Sequence, residues 1–382
     1  MAGTPRFVFA SDSLKGTIAS ARVAELLEAA ARKRFPDCEC RSVPMADGGD
    51  GTAEAVAFAC GGELRRLCVY DPLGRPIEAA FAMLPNGRAV VEMAAASGLP
   101  LLAPGEKNPL LTSTYGTGEL IRAALDAGAR DVTLAIGGSA TNDGGMGCMR
   151  ALGARFLDTH GRELAGCGAD LARVASIDLS RLDPRVARTE FHLMCDVDNP
   201  LTGPDGASAI YGPQKGATPE MVAELDAGMA NYARVLAATF GRDFARVPGS
   251  GAAGGLGAGA MAFLRAQVES GVARVLELTN FPALLEGANL CVTGEGHADA
   301  QTARGKVVAG VAAACKAAGV PCVAVVGGMS ADAACLPGLA ATVPTAIDTM
   351  PLEEALARAE ELYALAAERL FSLLELGFRL HT

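Results

Sequence analysis

RFVFASDSLKGTIASARVAELLEAAARKRFPDCECRSVPMADGGDGT, residues 6–52, is the stretch on which the fold turns. Arg6–Ser11 is a short apolar run with one β-branched residue and two Phe. It predicts a strand that enters the loop Asp12-Ser13-Leu14-Lys15-Gly16. A helix is expected over about Ile18–Arg34, with Thr17 and Ser20 as cap candidates and Arg32, Lys33 and Arg34 at the negative end of its dipole. Arg41–Met45 reads as a second strand, ending in Ala46-Asp47-Gly48-Gly49-Asp50-Gly51-Thr52, where a second helix starts. Strand, loop and helix, twice over, open a parallel α/β sheet.

The same grammar returns near the end. Asn289–Thr293 reads as a strand leading into Gly294-Glu295-Gly296. Lys306–Ala318 reads as a helix closed by Gly319, and Val320–Val326 as a fully apolar, buried parallel strand. A final amphipathic helix is expected over about Leu352–Leu376.

The middle of the chain differs. Val69–Met83 and Ala89–Glu92 suggest antiparallel strands around the turn Pro85-Asn86-Gly87. Thr117–Ala127 is a helix with Gly128 behind it, and Asp131–Ile136 a strand ending in Gly137-Gly138-Ser139. Thr218 caps a long helix, with Pro219 in its first turn and Gly241 after it. The expectation is an α/β protein: a discontinuous parallel-sheet domain over residues 1–65 plus 286–382, with a second α/β domain inserted over residues 66–285.

Composition narrows the function. Half of the 382 residues are hydrophobic and a fifth are charged, a balance that buries a core. Net charge is −10 with no basic stripe, which argues against a nucleic-acid partner. No apolar run is long enough to span a membrane, and Met1–Arg6 has no leader-like pattern, so the expected location is the cytoplasm. The eleven cysteines have no regular spacing. Cys38 and Cys40 form a lone CxC, while Cys291, Cys315 and Cys322 read as small core residues of a reducing compartment. With only four His, none paired with Cys, a zinc site is not expected.

Four polar, glycine-rich loops each follow an expected strand, at the carboxyl edge where α/β sheets bind ligands. Asp12, Ser13 and Lys15 sit in the first, where a lysine beside open backbone donors suits a phosphate or carboxylate, although a capping loop has the same composition. Asp47 and Asp50 flank Gly48 and Gly49 in the second; two carboxylates there suit Mg²⁺ or a hydroxyl proton, or simply a turn. The third, Gly137-Gly138-Ser139-Ala140-Thr141-Asn142-Asp143-Gly144-Gly145, has the donors to cradle a phosphate chain. The fourth holds Asp196 and Asp198, a metal-clamp pattern if the strand continues, and then Lys215 ahead of a capped helix. Glu295 and Asp299, with His297, Gln301, Thr302 and Lys306, form a last polar cluster. No GxxxxGK[ST] loop occurs, and Gly254–Gly259 is a weak dinucleotide fingerprint without a convincing strand before it.

Taken together, these stretches resemble the type I glycerate kinase family. The matching strings are Asp12–Gly16, Pro44–Thr52 (PMADGGDGT), Gly137–Gly145 (GGSATNDGG), Asp196–Gly216 (DVDNPLTGPDGASAIYGPQKG) and Gly294–Lys306 (GEGHADAQTARGK), in order over nearly the whole chain. Asp50 stands where that family more often has Glu, and His297 where Arg is frequent. The resemblance implies a flavodoxin-like domain with an inserted domain, and ATP-dependent phosphorylation of D-glycerate, mainly at the 2-hydroxyl.

With that reaction in view, a cleft between the two domains is expected to hold ATP, Mg²⁺ and D-glycerate. Lys15 and Lys215 would neutralise carboxylate and phosphoryl charge, and Asp196 or Asp47 would take the hydroxyl proton. Asp12, Ser13, Lys15, Gly48, Gly49, Asp50 and Glu295 are the expected substrate contacts. Gly137, Gly138, Ser139, Thr141, Asn142 and Asp143 are the nucleotide contacts, and Asp198 and Glu295 the metal ligands. A homodimer is compatible with this reading. Three rivals stand beside it: phosphorylation at the 3-hydroxyl, an NAD-dependent hydroxy-acid dehydrogenase using Gly254–Gly259, and a non-catalytic metabolite sensor.

Overall fold

A computed structural model describes residues 4–14, 16–299, 302, 307–333, 336–346, 348 and 350–380 of the chain. The chain divides into two compact units: Met1–Asp47, Phe58–Cys60 and Ser270–Thr382 form the first, Gly48–Ala57 and Gly61–Glu269 the second.

The first unit is built on five parallel strands. Their spatial order is Ala341–Pro344, Cys322–Val326, Leu290–Gly294, Arg6–Ser11, Glu39–Ser42. Counted along the chain within this unit, that is 2-1-3-4-5, the flavodoxin-like order, with its switch point between Arg6–Ser11 and Leu290–Gly294. The central strands are buried along their length because both faces are covered. Phe7, Phe9, Val292 and Val325 pack with Leu27 of helix Ser20–Arg34 and with Tyr363 and Phe371 of helix Ala359–Leu380. The rings of Phe7 and Phe371 meet edge-on at 5.3 Å. Ala324 and Val326 pack instead with Val308 of helix Val307–Ala318.

Several local expectations shift by a few residues. Helix Ser20–Arg34 begins after Ala19 with no side-chain cap. Thr17 is spent elsewhere, its hydroxyl donating to the Leu14 carbonyl at 2.8 Å. The second strand is Glu39–Ser42, yet Val43 and Met45 still donate to Phe9 and Ser11 at 2.8 and 3.0 Å, which holds the following loop against the sheet. The C-terminal helix is two helices, Leu352–Ala357 and Ala359–Leu380, interrupted at Arg358.

The second unit carries a six-stranded mixed sheet, in the order Gln267–Glu269, Glu190–Met194, Asp131–Ala135, Arg88–Glu92, Pro76–Leu84, Glu63–Tyr70. The first four run parallel, and the last two are added as antiparallel hairpins. Asn86 and Gly87 turn the second hairpin with φ of 64° and 72°, the positive values that an Asn-Gly turn supplies. Helix Pro219–Phe240 is capped as its sequence indicates: the Thr218 hydroxyl accepts from the Met221 N–H, and Gly241 closes it at φ 70°.

The glycines of 254–259 serve backbone packing. No strand leads into them; short helical turns do. A Cβ on Gly254 would stand 2.0 Å from the Thr141 carbonyl oxygen, and one on Gly259 would stand 2.7 Å from that of Gly144. Gly144 N–H donates to the Gly254 carbonyl at 2.9 Å. Gly254 also has φ +64°. Gly254→Ala is therefore expected to cost roughly 3 kcal/mol or more, from overpacking and a left-handed backbone together. Gly105→Ala, where an added methyl meets nothing within 4 Å, is the control and stays near wild type. Urea unfolding of the two variants checks this; equal midpoints contradict it.

Candidate active site

In the first unit, all five strands deliver their carboxyl ends to one place. Asp12 and Ser13 follow the first strand, and the Asp12 N–H donates to the Gly294 carbonyl at 2.9 Å. The Asp12 carboxylate accepts from the Ser13 N–H at 2.7 Å, a tight local turn. Glu295, Gly296 and His297 follow the third strand. Gly327 and Gly328 follow the fourth and donate to the carbonyls of Glu295 and Gly296 at 3.1 and 3.0 Å. Thr345, after the fifth strand, donates from its hydroxyl to the Gly327 carbonyl at 2.9 Å. Two glycines allow this crowding: a Cβ on Gly294 would lie 2.0 Å from the Val325 oxygen, and one on Gly271 would lie 2.3 Å from the Asp47 oxygen.

These ends line a pocket of about 710 Å³. Asp12, Ser13, Asp47, Glu295, His297 and Asp348 give it polar lining, while Leu14, Val307, Met350, Leu352, Leu356 and Leu362 give it aliphatic lining. Asp12 and Glu295 are buried, Asp47 half-buried, His297 and Asp348 exposed. Of the sequence candidates, this pocket gathers Asp12, Ser13, Asp47 and Glu295. Lys15, Gln301 and Lys306 lie outside the described residues.

The second unit presents its own carboxyl edge. Gly137 donates to the Gly48 carbonyl at 3.1 Å, and a Cβ on Gly137 would meet Gly49 Cα at 2.9 Å. Asp50 lies beside Gly138: its Oδ1 is 3.1 Å from where a Cβ would stand. Gly48, Gly49, Asp50, Gly137 and Gly138 thus form one backbone-lined edge. Glu92, at the end of its strand, holds this edge in shape. Its carboxylate accepts from the Gly51 and Ala53 N–H groups, and burial pushes its pKa up against those two bonds. The sequence shows Glu92 only as a strand end, and its local spacing does not point to Gly51 and Ala53.

Asp196 and Asp198 are exposed in the loop after Met194. The strand stops before them, so strand alternation does not set their common side. The rest of the third loop turns inward. Thr141, Asn142 and Asp143 are fully buried. Asp143 accepts from Thr114 N–H and hydroxyl at 2.7 and 2.8 Å, and from Gly145 and Gly147 N–H at 2.9 and 3.2 Å. Asn142 donates to the Ser208 hydroxyl at 3.0 Å. Ser139 lies nearer the surface than these three.

Lys215 is buried, and its Nζ donates to the Thr141 carbonyl at 2.7 Å. Burial drives its pKa down to about 7, against the pull of Asp143. The sign follows directly. Between about pH 7 and the ordinary lysine value the unfolded chain holds this proton and the folded chain does not. Stability from this group is thus lowest below about pH 7 and rises with pH above it. Urea midpoints of wild type and Lys215→Met should converge or cross as pH rises through that window in the wild type's favour. Parallel midpoints would contradict the burial argument.

Fold and site together define an α/β protein with polar, glycine-rich loops gathered at the carboxyl ends of its parallel strands. Comparison with known proteins narrows the class. A model of the glycerate kinase family matches residues 7–375. A glycerate kinase of Bacillus subtilis (strain 168) is 44% identical over 362 residues, covering 93% of this chain and 94% of that protein. A glycerate 2-kinase of Escherichia coli (strain K12) is 41% identical over 377 residues, covering 98% and 99%. A crystal structure assigned to glycerate kinase 2 from Salmonella typhimurium LT2 superposes with a TM-score of 0.89 at 42% identity, covering 99% of this chain and 100% of that one. The chain belongs to the glycerate kinase family, a family of phosphotransferases.

Proposed function

We propose that the chain transfers the γ-phosphate of ATP to the 2-hydroxyl of D-glycerate, releasing ADP, and that the nucleotide occupies the pocket of the first unit. The observation that carries this reading is that pocket, at the switch point of a 2-1-3-4-5 sheet, with both carboxylates and aliphatic side chains in its lining. A three-carbon acid has no use for Leu14, Val307, Leu352 and Leu356; a nucleoside does. The pocket volume of about 710 Å³ lies within the ordinary range for such ligands.

The carboxylates fit Mg²⁺, a hard ion that takes oxygen ligands. Among the described residues no three of these carboxylates bring their oxygens within 4.8 Å of one another. That suits Mg²⁺, which is held by one or two carboxylates together with the nucleotide phosphates. Glu295 with Asp12 or Asp47 would hold it, and it would supply charge neutralisation on the phosphates. Asp198, exposed in the second unit, is the other candidate ligand.

In the transfer, the glycerate hydroxyl oxygen bonds to the γ-phosphorus, the bond from that phosphorus to the β-bridging oxygen breaks, and the hydroxyl proton passes to a carboxylate. Asp196 is our choice for that carboxylate, with Asp47 the alternative. The edge formed by Gly48, Gly49, Asp50, Gly137 and Gly138 offers backbone donors for the acid substrate. Lys215, buried against the Thr141 carbonyl with its pKa lowered to about 7 by burial, is the proposed cation for neutralising substrate charge. The name of the Escherichia coli relative supports the 2-position. Coupled ADP release with D-glycerate and Mg-ATP, followed by phosphorus NMR, tests the reading. It predicts 2-phosphoglycerate. A 3-phosphoglycerate resonance would overturn the position, and no ADP would overturn the reaction.

A further inference from the structure

Three cysteines that are far apart in sequence share one spot in the first unit. Cys291 and Cys322 are register partners on adjacent parallel strands, so their side chains leave the sheet on the same face. Helix Val307–Ala318 crosses that face and brings Cys315. The three Sγ atoms all lie within 4.8 Å of one another, and all three residues are buried. Among the described residues no His, Asp or Glu joins them.

We propose that Cys291, Cys315 and Cys322 form a three-coordinate thiolate site for a trivalent, thiophilic metalloid of the arsenic(III) class. Among the described residues these three soft donors have no fourth, short of the closed tetrahedral set that structural zinc requires. Charge then selects among soft ions. Three thiolates around a monovalent or divalent ion leave net negative charge in a buried, apolar place, which is costly. A trivalent centre leaves none. With arsenous acid the step is As(OH)₃ + 3 Cys-SH → As(S-Cys)₃ + 3 H₂O. Three As–S bonds form, three As–O bonds break, and each thiol proton leaves with a hydroxide as water. Nothing is oxidised or reduced. Because the thiols are buried, uptake follows local opening of the helix from the sheet, and it is slow.

Cys38 and Cys40, with sulfurs 3.5 Å apart, are a competing two-thiol site. The test therefore uses the full chain carrying Cys38→Ser and Cys40→Ser, fully reduced and incubated with arsenite. Bound arsenic is counted after desalting, and the coordination is read by arsenic X-ray absorption. The expected result is one arsenic per chain with three sulfur neighbours, and affinity weakened at least about a hundredfold by Cys315→Ala. Cys322→Ala gives the same loss from the sheet side, and circular dichroism confirms that each variant is folded. Arsenic with two sulfur neighbours, retention unchanged by both alanine variants, or no retained arsenic on the reduced parent overturns the proposal.

Discussion

Asp143→Ala is expected to destabilise the second unit by roughly 4 kcal/mol or more. Four donors converge on this one buried carboxylate: the Thr114 N–H and hydroxyl and the N–H groups of Gly145 and Gly147. Alanine leaves all four without their acceptor in a place water does not reach, and each buried orphan costs about 1–3 kcal/mol. The damage spreads, because the Thr114 hydroxyl in turn accepts from the Cys148 N–H at 2.8 Å. Asp143→Asn fares poorly too, since its amide nitrogen donates where an acceptor is needed. Urea unfolding followed by circular dichroism reads the loss. A midpoint equal to wild type would show that Asp143 does not hold the loop together.

Asp196→Asn is expected to leave the fold intact and to cut kcat by at least about a hundredfold. Asp196 is exposed, outside any regular element, so its replacement by a residue of the same shape removes little structure. What it removes, on the proposed mechanism, is the proton acceptor. Loss of a general base that acts in the transition state lowers kcat and kcat/KM together, with KM nearly unchanged. Steady-state kinetics separates the outcomes. Turnover near wild type would move the role to Asp47, and Asp47→Asn would then carry the loss.

The sheet of the first unit was legible because buried parallel strands announce themselves as continuous apolar runs, as in the stretch ending at Val326. Glycine-rich loops after those runs marked its carboxyl edge. The cap was harder. Thr17 and Ser20 offer the same hydroxyl to a cap or to a turn, and here Thr17 takes the turn. The loop 137–145 shows why sites are harder than folds. Backbone donors, hydroxyls and a carboxylate have one composition whether they face a ligand or each other. In Asp143 the donors meet the chain's own carboxylate. Gly254–Gly259 makes the same point: glycine admits a phosphate or a neighbouring backbone equally, and Thr141 and Gly144 are the neighbours here. Glu92 and the thiol cluster were invisible for another reason. Their partners are set by strand register and helix docking, which local spacing does not encode.

The proposed placement of the nucleotide in the first unit can be read directly by hydrogen exchange with and without Mg-ATP. Protection is predicted within residues 12–14, 295–297, 327–328, 345–346 and 350–359, which contribute lining to the pocket. Protection confined to residues 137–145, with the pocket segments unchanged, would contradict it.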